Sequence, residues 1–169
     1  MRYHRRFMLS DHAIENAVQN FEMSLASGEL TKGELVARLQ DRVRAYTGYD
    51  HAIAFGQGTH ALMVLARWYR QHGYRNILTP AFTWPSTYMP FLWQGFHVAF
   101  CDIDRETWLA QFPDRKTDID ELFIPVDTFG SVHGMDDRFQ FVDSAQSFGA
   151  MWPDKHVTRV LSLSASKIA

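Results

Sequence analysis

The residue types most suited to chemistry are an amine and a carboxylate in the last third of the sequence. Asp143 ends the strand-like run FQFVD, and Lys167 follows the run RVLSLS. Ligands of open α/β sheets bind at the carboxyl ends of the strands, so both side chains are expected at one edge. A lysine amine can form an imine with an aldehyde, and a carboxylate can keep a ring nitrogen protonated. The pair predicts a site for a ring that contains a basic nitrogen and carries an aldehyde.

Two other strand ends supply the remaining parts of such a site. Gly58 and Thr59 open a helix after the run HAIAF, where backbone N–H groups and the helix dipole can bind a phosphate. Trp84 follows the run RNILTP and can stack on a flat ring. Gln146, just after Asp143, can hydrogen-bond a ring hydroxyl. Phosphate, flat ring, basic nitrogen and aldehyde together describe pyridoxal 5'-phosphate.

Each of these residues also has an ordinary structural explanation. The glycine loop is compatible with a tight turn between strand and helix, and Trp84 with a core aromatic. Asp143 and Gln146 are compatible with turn or helix-capping residues, and Lys167 with a solvated surface group. The conjunction at successive strand ends favours the functional interpretation.

Two amphipathic helices are predicted before the first strand. One follows a Ser10 cap and ends at Gly28, and a second begins at Thr31, whose pairing with Glu34 has capping-box form, and ends near Gly48. We expect residues 1–50 to form a helical segment that packs on an α/β domain at residues 51–169.

The α/β domain is predicted from short apolar runs that alternate with helices. The expected strands are HAIAF, RNILTP, FHVAFCDI, LFIPV, FQFVD and RVLSLS. Helices are expected after the glycine loop and from about Trp84 to Gln94. This alternation indicates a mostly parallel sheet in a three-layer α/β/α fold. The short connection from Asp127 to Arg138 leaves room for a turn or two of helix.

Composition restricts the class of protein. The chain has 169 residues, a net charge of −2 and no basic stripe, so nucleic acid is not expected as a partner. Cys101 is the only cysteine, which excludes an intrachain disulfide and a multi-cysteine metal site and favours a cytoplasmic location. No run approaches the roughly 20 apolar residues of a membrane span, so no membrane association is expected.

Short blocks in a fixed order resemble the DegT/StrS family of sugar aminotransferases, which are pyridoxal-phosphate enzymes of fold type I. The blocks are Gly58-Thr59-His60-Ala61-Leu62, Pro80-Ala81-Phe82-Thr83-Trp84, Cys101-Asp102-Ile103-Asp104, Ile124-Pro125-Val126-Asp127-Thr128-Phe129-Gly130, Asp143-Ser144-Ala145-Gln146 and Ser162-Leu163-Ser164-Ala165-Ser166-Lys167. The resemblance implies the large domain of fold type I, with the small C-terminal domain absent from this chain.

The resemblance also implies roles for individual residues. Gly58, Thr59 and Ser162 would hold the phosphate, and Trp84 would cover the ring. The ring nitrogen would pair with Asp143, the ring hydroxyl with Gln146, and Lys167 would carry the cofactor and move the proton. The implied reaction transfers an amino group, usually from glutamate, to a keto sugar nucleotide.

Two residues of this chain differ from the family pattern, and the assembly of the family's active sites also affects which roles apply to this chain. Gln57 stands where the family usually has serine, and Asp127 where it usually has histidine. Fold-type-I sites are built from two subunits, so we expect a homo-oligomer or a complementing chain. A branch of the family with histidine in place of the lysine dehydrates sugars, and Lys167 argues against that branch. A noncatalytic, aminotransferase-like subunit is the alternative from another class.

Overall fold

The computed structural model describes residues 9–152, 155–164 and 167 of the chain. The α-helices there are α1 (Asp11–Ser27), α2 (Glu34–Thr47), α3 (Gly58–Gln71) and α4 (Met89–Trp93). The strands are β1 (Asn76–Pro80), β2 (His97–Cys101), β3 (Glu121–Phe123), β4 (Phe141–Ser144) and β5 (Thr158–Leu161). The basic start of the chain at residues 1–8 and Ala165-Ser166 of the lysine block lie outside the described residues. No helix in the described ranges is long and apolar enough to cross a membrane.

The contacts divide the chain into two compact units, with the boundary between Ala54 and Phe55. In the first unit, α1 is capped as predicted, because the Ser10 hydroxyl accepts the Ala13 N–H at 3.2 Å. Helix α2 was expected from Thr31 but begins at Glu34, without a side-chain cap from the preceding glycine. The capping box is therefore wrong.

The predicted strand HAIAF, at residues 51–55, is also wrong. These residues pair with no strand in the described part of the chain, and Ile53 is 75% exposed. The Ala54 N–H donates to the Gln40 side chain at 3.0 Å instead of to a neighbouring strand. A short apolar run becomes a strand only when a partner edge is available to it.

The second unit contains a parallel sheet, as predicted. Strand β1 pairs in parallel with β2 on one side and with β3 on the other, and β4 pairs in parallel with β5. Two parallel bridges, Phe123 with Phe139 and Val126 with Asp143, join the chain around β3 to β4. The mostly parallel α/β fold is confirmed.

Apolar side chains cover both faces of this sheet. Ile77 packs in a cluster with Leu62 of α3 and Phe141 of β4, whereas the next residue, Leu78, packs in a separate cluster with Phe123. Successive side chains of a strand point to opposite faces, so two clusters mean two covered faces. Burial on both faces explains why β1 and β4 have two apolar residues in succession, Ile77-Leu78 and Phe141-Val142.

Two connections near the site differ in their helical content. The helix predicted from Trp84 to Gln94 is broken into a 3-10 helix, Pro85–Thr87, and the short α4. Pro90 lies in the first turn of α4. A proline has no backbone N–H and its ring clashes with the preceding turn, so one continuous helix cannot run through this position. The connection after β3 contains only the 3-10 helix Thr128–Gly130, within the predicted limit of a turn or two.

Candidate functional site

Asp143 is a buried carboxylate near the carboxyl end of β4. Its side chain accepts two hydrogen bonds, from the Thr87 hydroxyl to Oδ2 at 2.7 Å and from the Ala145 N–H to Oδ1 at 3.2 Å. Burial raises the pKa of Asp143, while the Thr87 and Ala145 hydrogen bonds and the charge of Lys167 oppose that rise. In the described residues no salt bridge neutralises it. A ligand that supplies a cation would be held strongly here.

Lys167 is half-buried, in contrast to the solvated surface lysine of the alternative interpretation. Its backbone N–H donates to the Ser164 carbonyl at 2.8 Å, which holds the residue in a turn after β5. Its positive charge is one of the smaller contributions that lower the pKa of Asp143, so the amine lies within electrostatic range of the carboxylate. The structure thus brings together the two groups with which the sequence argument began.

The amino end of α3 lies against β5. A methyl group added to Gly58 would lie 4.0 Å from Val160 Cγ1, and Val160 is the β5 residue in register with Asp143. Gln57 precedes α3 without capping it through its side chain. Thr59 is half-buried in the first turn. N–H groups at such a helix start, with a positive dipole end, are suited to an anion.

Ser162 follows β5, one residue beyond the end of the strand, and is half-buried. Its hydroxyl oxygen accepts the Ser164 N–H at 3.3 Å, which leaves the hydroxyl proton available for an acceptor. Because β5 packs on α3, Ser162 lies at the same end of the sheet as the start of α3. The hydroxyl of Ser162 and the N–H groups of the helix start are donors that both suit an anion.

The structure treats the two remaining predicted site residues, Trp84 and Gln146, differently. The Trp84 side chain is 70% exposed, so the alternative that it is a core aromatic is wrong, and its ring is free to cover a ligand. Gln146 is half-buried, and its Oε1 accepts the Phe129 N–H at 3.1 Å. This contact matches the alternative in which Gln146 caps a turn with its side-chain oxygen. The amide NH₂ group still has two N–H donors that could reach a ligand.

Two threonines were missed by the sequence argument. Thr87 is 1% exposed and donates to Asp143, and its Oγ1 lies 2.9 Å from Thr83 Oγ1. Thr83 belongs to the Trp84 block and Thr87 ends the 3-10 helix that follows it, so their spacing of four residues was the available signal. Asp143 lies 56 residues from Thr87 in sequence, so only the fold reveals the contact.

A second buried carboxylate, Asp127, lies beside Asp143, and it was noticed in the sequence only as a departure from the family. Its Oδ2 accepts from Arg159 at 2.9 Å, from Ser144 at 2.7 Å and from Ser147 at 2.9 Å. Its Oδ1 accepts the His133 N–H at 3.1 Å. Burial raises the pKa of Asp127, but these hydrogen bonds and the Arg159 charge outweigh it and the net pKa is lowered.

Exposed aromatic rings adjoin the site. Phe82, Trp108 and Phe129 have ring centroids 5.4 to 6.2 Å apart and are 41% to 65% exposed. Trp108 and Phe129 adopt left-handed backbone conformations, with φ of 64° and 53°. For bulky side chains such conformations are strained and cluster at functional sites.

The arrangement defines a class of protein before any comparison is made. A helix start suited to an anion, a buried carboxylate and a nearby amine at one sheet edge are groups that a ligand with a phosphate, a basic ring nitrogen and an aldehyde needs. The solved structure of the GDP-4-keto-6-deoxy-D-mannose-3-dehydratase of E. coli, described with bound hydrated pyridoxal phosphate, has this fold. It matches with a TM-score of 0.74 and 21% identity over 92% of this chain and 44% of that one.

The family follows from the sequence comparison. The model of the DegT/DnrJ/EryC1/StrS aminotransferase family matches residues 11–165, and the chain belongs to that family, whose enzymes use pyridoxal phosphate. The GDP-4-keto-6-deoxy-D-mannose 3-dehydratase of Yersinia pseudotuberculosis is 26% identical over 80% of this chain and 38% of its own length. The UDP-4-amino-4-deoxy-L-arabinose–oxoglutarate aminotransferase of Shewanella sediminis is 27% identical over 66% of this chain and 30% of its own length. The chain thus spans less than half the length of these relatives.

Proposed function

We propose that this chain is the cofactor-binding half of a pyridoxal-phosphate-dependent aminotransferase that moves an amino group, from glutamate, to a keto sugar nucleotide. The observation that carries the proposal is the half-buried amine of Lys167 acting on the buried carboxylate of Asp143 at the carboxyl end of the sheet. These are the groups that an aldehyde and a ring nitrogen on one ligand need.

The residues present fit the cofactor. Asp143 is a carboxylate whose burial is poorly compensated, and a protonated ring nitrogen would supply the missing cation. Gly58, Thr59 and Ser162 would take the phosphate at the start of α3, because they offer backbone and hydroxyl donors there. Trp84 would cover the ring, and Gln146 would donate to its hydroxyl.

Pyridoxal phosphate, when bound, supplies the electron sink that makes a bond at the substrate carbon labile. The residues of this chain would hold the cofactor and move a proton at the substrate carbon. Lys167 would anchor the cofactor and, once displaced by the incoming amine, carry a proton to and from the substrate carbon with its Nζ. Asp143 would keep the ring nitrogen charged throughout.

The relatives support the donor and acceptor classes. One is named as an aminotransferase that pairs a sugar nucleotide with oxoglutarate, the keto acid of glutamate. Since this chain spans less than half of such proteins, substrate groups would also come from a homo-oligomeric neighbour or a complementing chain.

A second candidate is dehydration of a keto sugar on the same cofactor, because another relative is named as a 3-dehydratase. Lys167 favours amino transfer, since the resemblance ties dehydration to a histidine at that position. The two reactions differ in the sugar product: net amino transfer leaves an amino group on the sugar, and dehydration leaves a deoxy keto sugar without one.

Covalent capture tests the cofactor role. The purified chain is mixed with pyridoxal phosphate, its visible absorbance recorded, and the mixture reduced with borohydride and mapped by peptide mass. We expect one equivalent, located on Lys167, which K167R abolishes and K116R leaves unchanged. A label spread over several lysines, or none in the folded protein, would overturn the proposal.

The transfer itself is tested with glutamate alone. A chain that transfers amino groups releases one 2-oxoglutarate per bound cofactor before any sugar is added. Retention of all glutamate by a protein with cofactor on Lys167 would reject amino transfer and favour the noncatalytic subunit, whereas release of 2-oxoglutarate followed by a sugar product without an amino group would favour the dehydration candidate.

A further inference from the structure

A chain of two hydroxyl groups lies behind Asp143. Thr87, in the 3-10 helix that follows Trp84, is 1% exposed, and its Oγ1 donates to Asp143 Oδ2 at 2.7 Å. Thr83 Oγ1 lies 2.9 Å from Thr87 Oγ1 and is the next member of the chain. These short contacts reach one oxygen of the carboxylate from the side of the Trp84 turn.

The direction of the donors follows from the charge of Asp143. An ionised carboxylate only accepts hydrogen bonds, so Thr87 must spend its one proton on Asp143 and accept from Thr83. A protonated Asp143 can reverse both bonds, because each hydroxyl can also accept. The donation from Thr83 through Thr87 is therefore complete only while the carboxylate is charged.

Geometry makes Thr87 the stronger of the two contacts that fix this carboxylate. The Ala145 N–H reaches the other oxygen, Oδ1, at a longer distance of 3.2 Å. Charge-assisted hydroxyl contacts at the shorter distance are the stronger kind. Thr87 is itself anchored, because its N–H donates to the Trp84 carbonyl at 3.0 Å. The same turn therefore fixes the position of Trp84 and the orientation of the Asp143 carboxylate.

We propose that Thr87, with Thr83 behind it, is a positioning residue that holds Asp143 as an oriented carboxylate toward the ring nitrogen of pyridoxal phosphate. This inference rests on the proposed function, since it deepens the role of Asp143. Thr87 touches no cofactor itself and acts through the carboxylate.

The test compares T87V, which removes the hydroxyl and keeps the shape, with T87S, which restores it. The matched control is T79V, because Thr79 is equally buried and donates its hydroxyl to the Ile124 carbonyl at 3.0 Å, away from Asp143. We expect T87V to capture pyridoxal phosphate on Lys167 about tenfold or more weakly, with T87S and T79V near the wild type.

A second readout needs no cofactor. Carboxyl ¹³C NMR titration of the chain alone measures the pKa of Asp143. T87V should raise this pKa further and T79V should leave it unchanged, because Thr87 donates to the carboxylate and Thr79 donates to the Ile124 carbonyl. If T87V does not fold, T83V takes its place with the same two measurements and a smaller expected effect in the same direction.

The outcomes separate the two proposals. Absence of cofactor on Lys167 of the wild type would reject the proposed function, whereas the titration of Asp143 would still report on Thr87. Wild-type capture by T87V, or an equal loss in T87V and T79V, would overturn the positioning role and leave the proposed function standing.

Discussion

Two buried aspartates lie side by side and are treated oppositely by their surroundings. The Asp127 N–H donates to the Asp143 carbonyl at 2.9 Å, so their backbones are adjacent. Asp127 is fully paired, and its pKa is lowered, whereas burial of Asp143 raises its pKa. Asp127 accepts from Arg159 and from two serine hydroxyls, whereas Asp143 accepts from one threonine hydroxyl and one backbone N–H and has no arginine partner among the described residues. Opposite shifts predict opposite responses to mutation and to pH.

Asp143→Asn should stabilise the chain in the absence of cofactor. A carboxyl group with a raised folded pKa loses stability as pH rises from its unfolded pKa of about 3.9 through the folded value. The amide removes that loss, and a reversed Thr87 hydroxyl can accept from it. We expect about 1 kcal/mol more stability at neutral pH, with no gain below about pH 4, from denaturant unfolding. Cofactor capture should weaken at the same time, and a variant less stable than wild type at neutral pH would contradict the prediction.

Asp127→Asn should change the acid limb of stability instead. A carboxylate with a lowered folded pKa contributes stability above its unfolded pKa of about 3.9, and this is lost as pH falls through the folded value. The wild type should therefore lose stability steeply below about pH 4, and D127N should lose less there while being weaker at neutral pH. Unfolding free energies across acid pH measure this. D137N, at an exposed aspartate, is the control, and an equally steep wild-type and D127N limb would refute the assignment.

At the scale of elements, the pair of Arg159 and Asp127 ties β5 to the segment that follows β3. Arg159 is 4% exposed in its side chain and Asp127 is 0% exposed, at 2.9 Å. The Arg159 guanidinium also lies 5.2 Å from the Trp152 ring centroid. Removing one partner of such a pair leaves the other charge buried and unpaired, which costs far more than the pair contributes as a unit.

Arg159→Met should therefore destabilise the chain by about 3 to 5 kcal/mol, measured by denaturant unfolding. The same change at Arg115, whose side chain is 43% exposed where it pairs with Glu121, should cost clearly less. The double variant R159M/D127L should recover part of the loss, because both charges are gone. Recovery would be incomplete since Ser144, Ser147 and His133 then lose their acceptor. Equal losses for R159M and R115M would contradict this account.

The sequence predicted the elements whose signals are local. Strands β1, β2 and β4 and the start of α3 follow from apolar runs and turn residues. HAIAF failed because strand formation needs a partner edge, and the helix after Trp84 failed because Pro90 restarts it. The contacts of Asp143 with Thr87 and of Asp127 with Arg159 join residues 56 and 32 positions apart, so no local pattern contained them.

At the scale of the whole molecule, the two helices of the first unit carry apolar side chains that are exposed. No residue of α1 or α2 is buried, although both helices have the apolar stripe of packing helices. On α1 the stripe consists of Ile14, Val18, Phe21 and Leu25, each 48% to 63% exposed. Stripes of this kind in a globular protein normally face another element. A homo-oligomer or complementing chain, proposed above from the family, would provide one.

If a second copy covers this stripe, the chain should self-associate with an affinity that depends on Phe21. Placing a charge there removes the apolar area of one large side chain, so F21K should weaken association about tenfold or more. Q19K is the matched control, since it adds the same charge at an exposed polar position of the same helix. Sedimentation velocity over a range of concentrations distinguishes the two variants. A monomer at every concentration, or equal weakening by Q19K, would show that copies of this chain do not meet through α1, because only a specific apolar contact separates the two substitutions.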